Sequence, residues 1–374
     1  MANEKVKKVS VVIGRFSPFH NGHKYILETV AKQSHKVIVL IGSSFQSRSL
    51  KNPFTFAERQ SVIEAWAKDN EIENTYIYPI RDYPYNDAQW IKSIQEAVSY
   101  ATLLDNRPLE IHLTGCDKDS STWYLHAFPQ WKTHFLSEYT GQDLKTNATL
   151  VREILFSGDP MSHIAPMVPT QTLDFISKFK RTAEFENLKQ EYEINRKYKA
   201  AWSVAPYAPT FNTADAVVIQ SGHVLVVERG AMPGKGLWAF PGGFINQNER
   251  IQDAAIRELI EETGICLAEG KRKHELTKNI LQGSIRAKEI FDHPTRSERG
   301  RTITVAYLFR LDDTKPLPQV SGQYIPEYES RGQQIVETAN AFWLPINDAL
   351  QQTEKWFEDH WSILAWATAI KDSR

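Results

Sequence analysis

Residues 9–23 read Val9-Ser10-Val11-Val12-Ile13-Gly14-Arg15-Phe16-Ser17-Pro18-Phe19-His20-Asn21-Gly22-His23, and the order of residue types there decides the fold of the amino-terminal half. The β-branched run Ser10-Val-Val-Ile13 predicts a strand. Gly14 lets the chain turn tightly off the strand end. Apolar residues then recur at helical spacing over 24–33. Strand, glycine turn and helix in that order open a βαβ unit. Working outward, 37–41, 75–78 and 110–114 repeat the strand texture, and 58–68 repeats the helical one. Thr55 with Glu58 three residues later forms a capping box, so a helix starts there. The alternation predicts an α/β domain on a parallel sheet.

The whole chain has 374 residues, enough for two or three domains. Lys plus Arg number 44 and Asp plus Glu 45, a net charge of −1 that argues against bulk electrostatic binding to nucleic acid and against an acidic tail. Hydrophobic residues at 41% supply buried cores and exclude global disorder. The two cysteines, Cys116 and Cys266, lie far apart, which excludes a disulfide scaffold and a Cys-rich zinc site. The first ten residues hold no apolar core of a signal peptide, and no run of 18 apolar residues occurs. A cytoplasmic protein without a membrane or nucleic-acid partner is expected. Homo-oligomerisation is left open.

Prolines 160, 166 and 169 punctuate the chain, and Pro206 and Pro209 close the charged stretch that follows. Leu173, Ile176, Phe185, Leu188 and Tyr192 make a broken apolar stripe on one or two connecting helices. From Thr213 the texture changes to the strand-like runs 216–219, 224–227 and 302–311, interrupted by one strong helix over about Ile251–Thr263. Three segments are expected: an α/β domain over 1–160, a Pro-flanked helical linker over 161–209 and an α+β domain over 210–374. The stretch 316–334 reads as an irregular surface insertion.

Two chemical sites stand out. In the first, a helix amino terminus after Gly14 presents amides and a positive dipole end, which suits a phosphate. His20 and His23, three apart, face one ligand if the first helical turn includes them. Two imidazoles there donate hydrogen bonds to a triphosphate and stabilise charge growing on its bridging oxygen. No acid sits beside them to make a general base, so the arrangement suits a displacement governed by positioning. Histidines near a turn are usually surface or core residues; the strand–helix context raises the functional reading above that.

This segment resembles the HxGH signature of the nucleotidyltransferase superfamily. Thr146-Asn147-Ala148-Thr149-Leu150-Val151-Arg152 resembles its ISxTxxR motif, with Asn-Ala replacing the usual small hydroxyl pair and Thr149 and Arg152 keeping their spacing. Gly14-Arg15-Phe16-Ser17-Pro18-Phe19-His20, with Asn52-Pro-Phe-Thr-Phe-Ala-Glu-Arg59 and Tyr85-Asn86-Asp87 followed by Trp90, resembles the archaeal-type nicotinamide mononucleotide adenylyltransferases. The resemblance implies a Rossmann-like fold, ATP as substrate, phosphate contacts from Arg15, Arg59, Thr149 and Arg152, and Asn86 and Trp90 near the nicotinamide. A Trp face suits a pyridinium, although Trp90 alone would be read as a core aromatic. The strand end Thr114-Gly-Cys-Asp-Lys-Asp119 departs from relatives, which commonly have Gly-His before Lys-Asp.

The second site is Gly243, five residues, Glu249, seven residues, then Arg257-Glu258-Leu-Ile-Glu261-Glu262-Thr-Gly264-Ile265. Ile251, Ala255 and Leu259 recur four apart as a buried stripe. Glu258 and Glu262 lie on another face with Glu261 beside them. Three such carboxylates repel unless a cation sits among them, and hard oxygens select Mg2+ or Mn2+. Arg257, four before Glu261, tethers it. Gly264 ends the helix, where positive φ is commonly needed, and Gly242-Gly243 let backbone approach metal or phosphate. A solvated acidic face is the bland alternative, but it does not explain the places of Gly243, Glu249 and Arg257. The pattern matches the Nudix box at every specified position, which implies an α/β/α sandwich and metal-assisted hydrolysis of a pyrophosphate.

Phe291-Asp-His-Pro-Thr-Arg-Ser-Glu-Arg-Gly-Arg301 and Glu358-Asp-His-Trp361 resemble the Nudix partner domain of bifunctional bacterial adenylyltransferases, which hydrolyses ADP-ribose to AMP and ribose 5-phosphate. The resemblance implies Arg296, Arg299 and Arg301 as phosphate contacts, although such a cluster is often only solvent-exposed. Val336-Glu337-Thr338 stands where relatives often carry Asp-Asp-Ala. The expectation is a bifunctional enzyme that makes NAD from ATP and nicotinamide mononucleotide and hydrolyses ADP-ribose. The rivals are a non-hydrolytic ADP-ribose sensor, though no DNA-binding helix pair is recognisable, and a first domain that adenylylates another phosphate such as phosphopantetheine.

Overall fold

The computed structural model describes residues 6–116, 120–137, 147–322 and 338–370. The chain divides into two compact units, Met1–Tyr192 and Glu193–Arg374.

The first unit runs β1 (Lys7–Gly14), α1 (Asn21–Gln33), β2 (Lys36–Ile41), α2 (Phe56–Asp69), β3 (Thr75–Pro79), α3 (Asp87–Thr102), β4 (Leu109–Gly115), β5 (Lys132–Phe135), α4 (Ala148–Ser157) and α5 (Thr170–Phe179). The division falls inside α6 (Ala183–Trp202). Its strands pair in parallel in the order β3-β2-β1-β4-β5. Side chains alternate between two cores. Val12, Val37, Val39 and Ile41 join α1 and α2 on one face, and Val9, Val11, Ile38 and Leu40 join α3 on the other. Burial on both faces explains why these strands read as continuous apolar runs. The strand order reverses between β1 and β4, and in open sheets of this kind ligands bind there, at the strands' carboxyl ends.

The capping box of α2 is present: Thr55 Oγ1 accepts from the Glu58 N–H, and the Glu58 carboxylate accepts from the Thr55 N–H. β5 was not foreseen. It reads Lys-Thr-His-Phe, a short polar edge strand with no apolar run to announce it. In the stretch after α4, Ile176, Phe185 and Leu188 are buried with Phe54 and Leu155, and Leu173 and Tyr192 pack against that cluster.

The second unit runs β6 (Thr210–Gln220), β7 (His223–Arg229), β8 (Trp238–Ala239), β9 (Gly242–Phe244), α7 (Ile251–Thr263), α8 (Lys273–Ser284), β10 (Ile285–Phe291), β11 (Arg301–Arg310), β12 (Thr338–Pro345), α9 (Ile346–Gln351) and α10 (His360–Ala369). The sheet order is β10-β11-β6-β7-β12, with β8 on β7 and β9 on β6. Only the β11–β6 pairing is parallel among these. Ala214, Ala216 and Val218 face α7 and α8; Val217 and Ile219 face α9 and α10. The result is an α/β/α sandwich around a mixed sheet.

The buried stripe of α7 differs from the expected one. Ala255 and Leu259 are fully buried, but Ile251 is 39% exposed. A helical side chain covers the turn preceding its own Cα, and the first residue of a helix has no such turn to cover. Ile256, Ile260 and Thr263 complete the buried face instead. Gly264 has φ 63° and closes the helix as expected. α8 and β10 were not foreseen, because α8 buries only Thr277, Leu281 and Ser284, one of them apolar, and leaves Leu276 and Ile280 exposed. Residues 316–322 carry no regular structure. The remainder of the expected insertion, with Val336 and Glu337, lies outside the described residues, as do Asp117 and Thr146. No described helix is long and apolar enough to cross a membrane.

Candidate active sites

At the carboxyl end of β1 the chain turns through Gly14 into α1. A Cβ on Gly14 would stand 3.1 Å from the Phe16 ring, so glycine makes the room for that buried aromatic. Phe16 itself has φ 50°, the left-handed region, held by its burial. α1 begins at Asn21, so His20 is the N-cap and His23 the third helical residue. Nδ1 of His20 accepts from the Gly22 N–H at 3.1 Å, and Nδ1 of His23 accepts from the His20 N–H at 3.3 Å. The two rings stack with centroids 3.7 Å apart. An accepting Nδ1 leaves the proton of a neutral imidazole on Nε2, so both rings are set as Nε2–H donors.

The second motif meets the first. Asn147 caps α4, its side chain accepting from the Leu150 N–H at 2.8 Å. Arg152, buried, donates from Nη1 to the Ser17 carbonyl at 2.7 Å and from Nη2 to Thr149 Oγ1 at 3.2 Å. Residues 135 apart in sequence thus share one loop. Arg15 projects from the same loop. Burial lowers the pKa of its guanidinium, Asp82 opposes that shift, and Nη1 is buried without a hydrogen-bond partner. A charge held in this way is under-compensated, which suits an anion.

One expectation changes. Arg59 is 2% exposed, and its guanidinium is taken up by backbone carbonyls: Nε to Thr55 at 3.2 Å, Nη1 to Arg15 and Gly42 at 2.7 Å each, and Nη2 to Ser43 at 3.1 Å. It ties the loops after β1 and β2 together and is not set to hold a phosphate. Asn86 is the N-cap of α3, accepting from the Gln89 N–H at 2.9 Å. Trp90, in the first turn, packs its ring 5.7 Å from Trp123 and 6.0 Å from Tyr124, a half-buried member of an aromatic cluster. Sequence reading missed Asp82, which accepts from the Ser43 N–H at 3.0 Å where Ser43 has φ 52°. The available signal was an acid just past the carboxyl end of β3, on the end of the sheet where ligands bind in such folds.

In the second unit the Gly242-Gly243 backbone of β9 meets α7. A Cβ on Gly243 would stand 2.4 Å from Glu258 Oε1, and the Gly242 N–H donates to Glu262 Oε2 at 3.0 Å. Both carboxylates therefore reach one stretch of backbone. Arg257 is the cation among the acids. Nε and Nη2 grip Glu249 at 3.0 and 2.7 Å, and Nη1 donates to Glu258 at 2.8 Å and to Glu261 at 3.0 Å. Hydrogen bonds from Arg257 lower the Glu249 pKa, and those to Glu249 raise that of Arg257. The tether to Glu261 is as expected, and the spaced Glu249 gains a role as the anchor of Arg257.

The three glutamates do not converge. Among the described residues no group of three or more His, Cys, Asp or Glu is gathered to hold a metal ion. Arg257 draws Glu258 and Glu261 to itself, and Glu262 also accepts from Thr338 Oγ1 at 3.0 Å. Donor type still fits a hard divalent cation, and Glu258 and Glu262 stand at backbone that a side chain would block. The arginines of the 291–301 loop separate. Arg296 is 8% exposed and locked in a bidentate pair with Asp359 at 2.9 and 2.8 Å, so it is a structural ion pair and not a phosphate contact. Arg301 donates to the Asp292 carbonyl. Arg299 lies over the Phe244 ring at 5.8 Å, next to Gly243.

A doubly wound parallel sheet with paired imidazoles at its switch point, followed by a sandwich with the acidic helix of the Nudix box, defines a nucleotidyltransferase joined to a Nudix unit. Family models agree: residues 11–177 match the Cytidylyltransferase-like model and 209–367 the NUDIX domain. A "Nicotinamide/nicotinic acid mononucleotide adenylyltransferase" of Acinetobacter baylyi is 31% identical over 182 residues, 49% of this chain and 92% of that protein. A "Nicotinamide-nucleotide adenylyltransferase" of Methanoculleus marisnigri is 28% identical over 158 residues, 41% of this chain and 83% of that one. A crystal structure of a "bifunctional NMN adenylyltransferase/ADP ribose pyrophosphatase" of Francisella tularensis, complexed with AMP and a Mn ion, aligns with TM-score 0.82 and 32% identity over 97% of this chain and 99% of that one. The chain belongs to this family of two-unit NMN adenylyltransferase/ADP ribose pyrophosphatases.

Proposed function

We propose that the first unit joins nicotinamide mononucleotide to the adenylyl group of ATP, forming NAD and releasing pyrophosphate, and that the second hydrolyses ADP-ribose to AMP and ribose 5-phosphate. The observation that carries the first reaction is the meeting of Arg152 with the Ser17 carbonyl beside the stacked His20 and His23. It brings a guanidinium and two imidazoles to one helix amino terminus, where triphosphate charge is stabilised without a covalent intermediate. The transfer is an in-line attack of the mononucleotide phosphate on the α-phosphorus, for which the chain supplies position and donors. Arg15 and Thr149 add phosphate contacts. Asn86 and Trp90 mark the nicotinamide end.

For the second reaction the donor set suits Mg2+ or Mn2+, held by Glu258 and Glu262 with Glu261 beside them. When bound, such an ion neutralises the diphosphate and activates water. Arg257 orders the glutamates, Gly242 and Gly243 let backbone approach the phosphates, and Arg299 contributes a cation near Phe244. We place both reactions in the cytoplasm, in keeping with a chain that has only two cysteines. The direct test is NAD formation from ATP and nicotinamide mononucleotide by the purified protein. His20→Ala and His23→Ala are expected to lower kcat by about 10²–10³; unchanged rates in both would remove the proposed site.

A further inference from the structure

The segment Glu358-Asp359-His360-Trp361 stands out in the sequence, yet none of its residues belongs to the Nudix box. Three of its residues have hydrogen-bond partners in other elements of the unit. His360 is 5% exposed, and its Nδ1 accepts from the Phe240 N–H at 3.0 Å. Its ring lies between those of Phe240, at 5.7 Å, and Phe357, at 6.1 Å. Asp359 holds Arg296 in the buried bidentate pair. Trp361 Nε1 donates to the Leu350 carbonyl at 3.1 Å.

Phe240 opens the turn Phe240-Pro241-Gly242-Gly243 that delivers the backbone to Glu258 and Glu262. The Pro241 carbonyl accepts from the Ala216 N–H at 2.8 Å, and the Gly242 N–H is held by Glu262 at 3.0 Å. Asp215 fills the space beside Gly242, where a Cβ would be 2.2 Å from its Oδ1. The turn is therefore fixed from α7 on one side and from the start of α10 on the other.

We propose that His360 is a positioning residue of the hydrolytic unit: as a neutral acceptor for the Phe240 N–H, seated by the Asp359–Arg296 pair, it sets the turn that presents Gly242 and Gly243 to the phosphates. Burial holds this imidazole below its usual pKa, against the raising influence of Asp215 and Asp359 and with the lowering influence of Arg296 and Arg229, so it stays an acceptor near neutral pH. A protonated ring has no lone pair to offer Phe240. An apolar replacement leaves a buried amide unsatisfied at the turn.

The inference rests on the hydrolytic reading of this unit, and its test separates the two. The full chain is compared with His360→Asn, whose side-chain oxygen replaces Nδ1 as acceptor, and with His360→Leu, which has none. ADP-ribose hydrolysis with Mg2+ is measured beside hydrogen exchange of the peptide covering 238–244. The Leu variant is expected to lose at least tenfold in kcat with KM changed less, and to exchange faster in that peptide. The Asn variant is expected to stay within about threefold of wild type and to keep the protection. If the Leu variant does not fold, the Asn variant decides: near-wild-type hydrolysis supports the role, and a folded Asn variant with hydrolysis lost overturns it. Unchanged kcat and exchange in a folded Leu variant also overturn it. If the wild type leaves ADP-ribose intact, the hydrolytic reading fails, and the exchange data still decide whether His360 holds the turn.

Discussion

Three arginines that look alike in sequence have different fates, and the difference lies in what each guanidinium finds. Arg152 keeps one loop carbonyl and one hydroxyl as partners beside the imidazole pair. Arg59 is surrounded by carbonyls, and Arg296 is paired with an acid 63 residues away. Motif spacing made Arg152 legible. It could not show that Arg59 and Arg296 are saturated, because their partners are backbone atoms of folded loops and a distant carboxylate. The consequences differ accordingly. Arg152→Lys keeps the charge but loses the fork that bridges Ser17 and Thr149, and is expected to lower kcat/KM for NAD formation by roughly 10–100-fold. Arg59→Met removes the side-chain donor from the Arg15, Gly42 and Ser43 carbonyls, while Thr55 keeps the backbone N–H of residue 59, and is expected to destabilise the first unit by on the order of 1–3 kcal/mol. Thermal unfolding followed beside the NAD assay distinguishes these cases; a large kinetic defect in a fully stable Arg59→Met protein would restore its role at phosphate.

Elements were legible where a strong local signal existed. The Thr55–Glu58 box fixed the start of α2, and the glycine at 264 fixed the end of α7, because capping is decided within a few residues. β5, α8 and β10 were not legible because their support comes from neighbours in space: β5 buries no residue, and α8 and β10 bury one apolar residue each. The junction of β9 with α7 carries its own prediction. In Gly243→Ala the new methyl occupies space held by Glu258 Oε1, 2.4 Å away. That carboxylate must move, and hydrolysis is expected to fall at least about tenfold while NAD formation is unchanged; equal hydrolysis by the variant would detach Glu258 from the chemistry. The start of α10 gives a pH dependence. His360 has a lowered pKa when folded, so the unfolded chain binds the extra proton more readily between the two values. Its contribution is complete above the usual imidazole value of about 6.5 and is lost as pH falls below it. Glu358, raised by burial, acts with the opposite sign and is common to both proteins compared. Unfolding midpoints of wild type and His360→Asn at pH 7.5 and 5.5 should therefore show the larger loss on acidification in the wild type; parallel losses would contradict the assignment.

At the scale of the molecule, two units carry two phosphoanhydride chemistries, one that forms the linkage and one that opens it. The HxGH turn and the Nudix helix were both readable because each concentrates its chemistry in one local segment. The order in which β11 joins β6 in parallel was not readable, since strand neighbours are chosen by the whole sheet. The sharpest measurement assays both reactions on three preparations: wild type, His20→Ala and Glu262→Gln. The account predicts that His20→Ala loses NAD formation by about 10²–10³ and keeps ADP-ribose hydrolysis, and that Glu262→Gln does the reverse, each to a similar order. Loss of both activities from either single substitution, with both units folded, or retention of both in each variant, would contradict it.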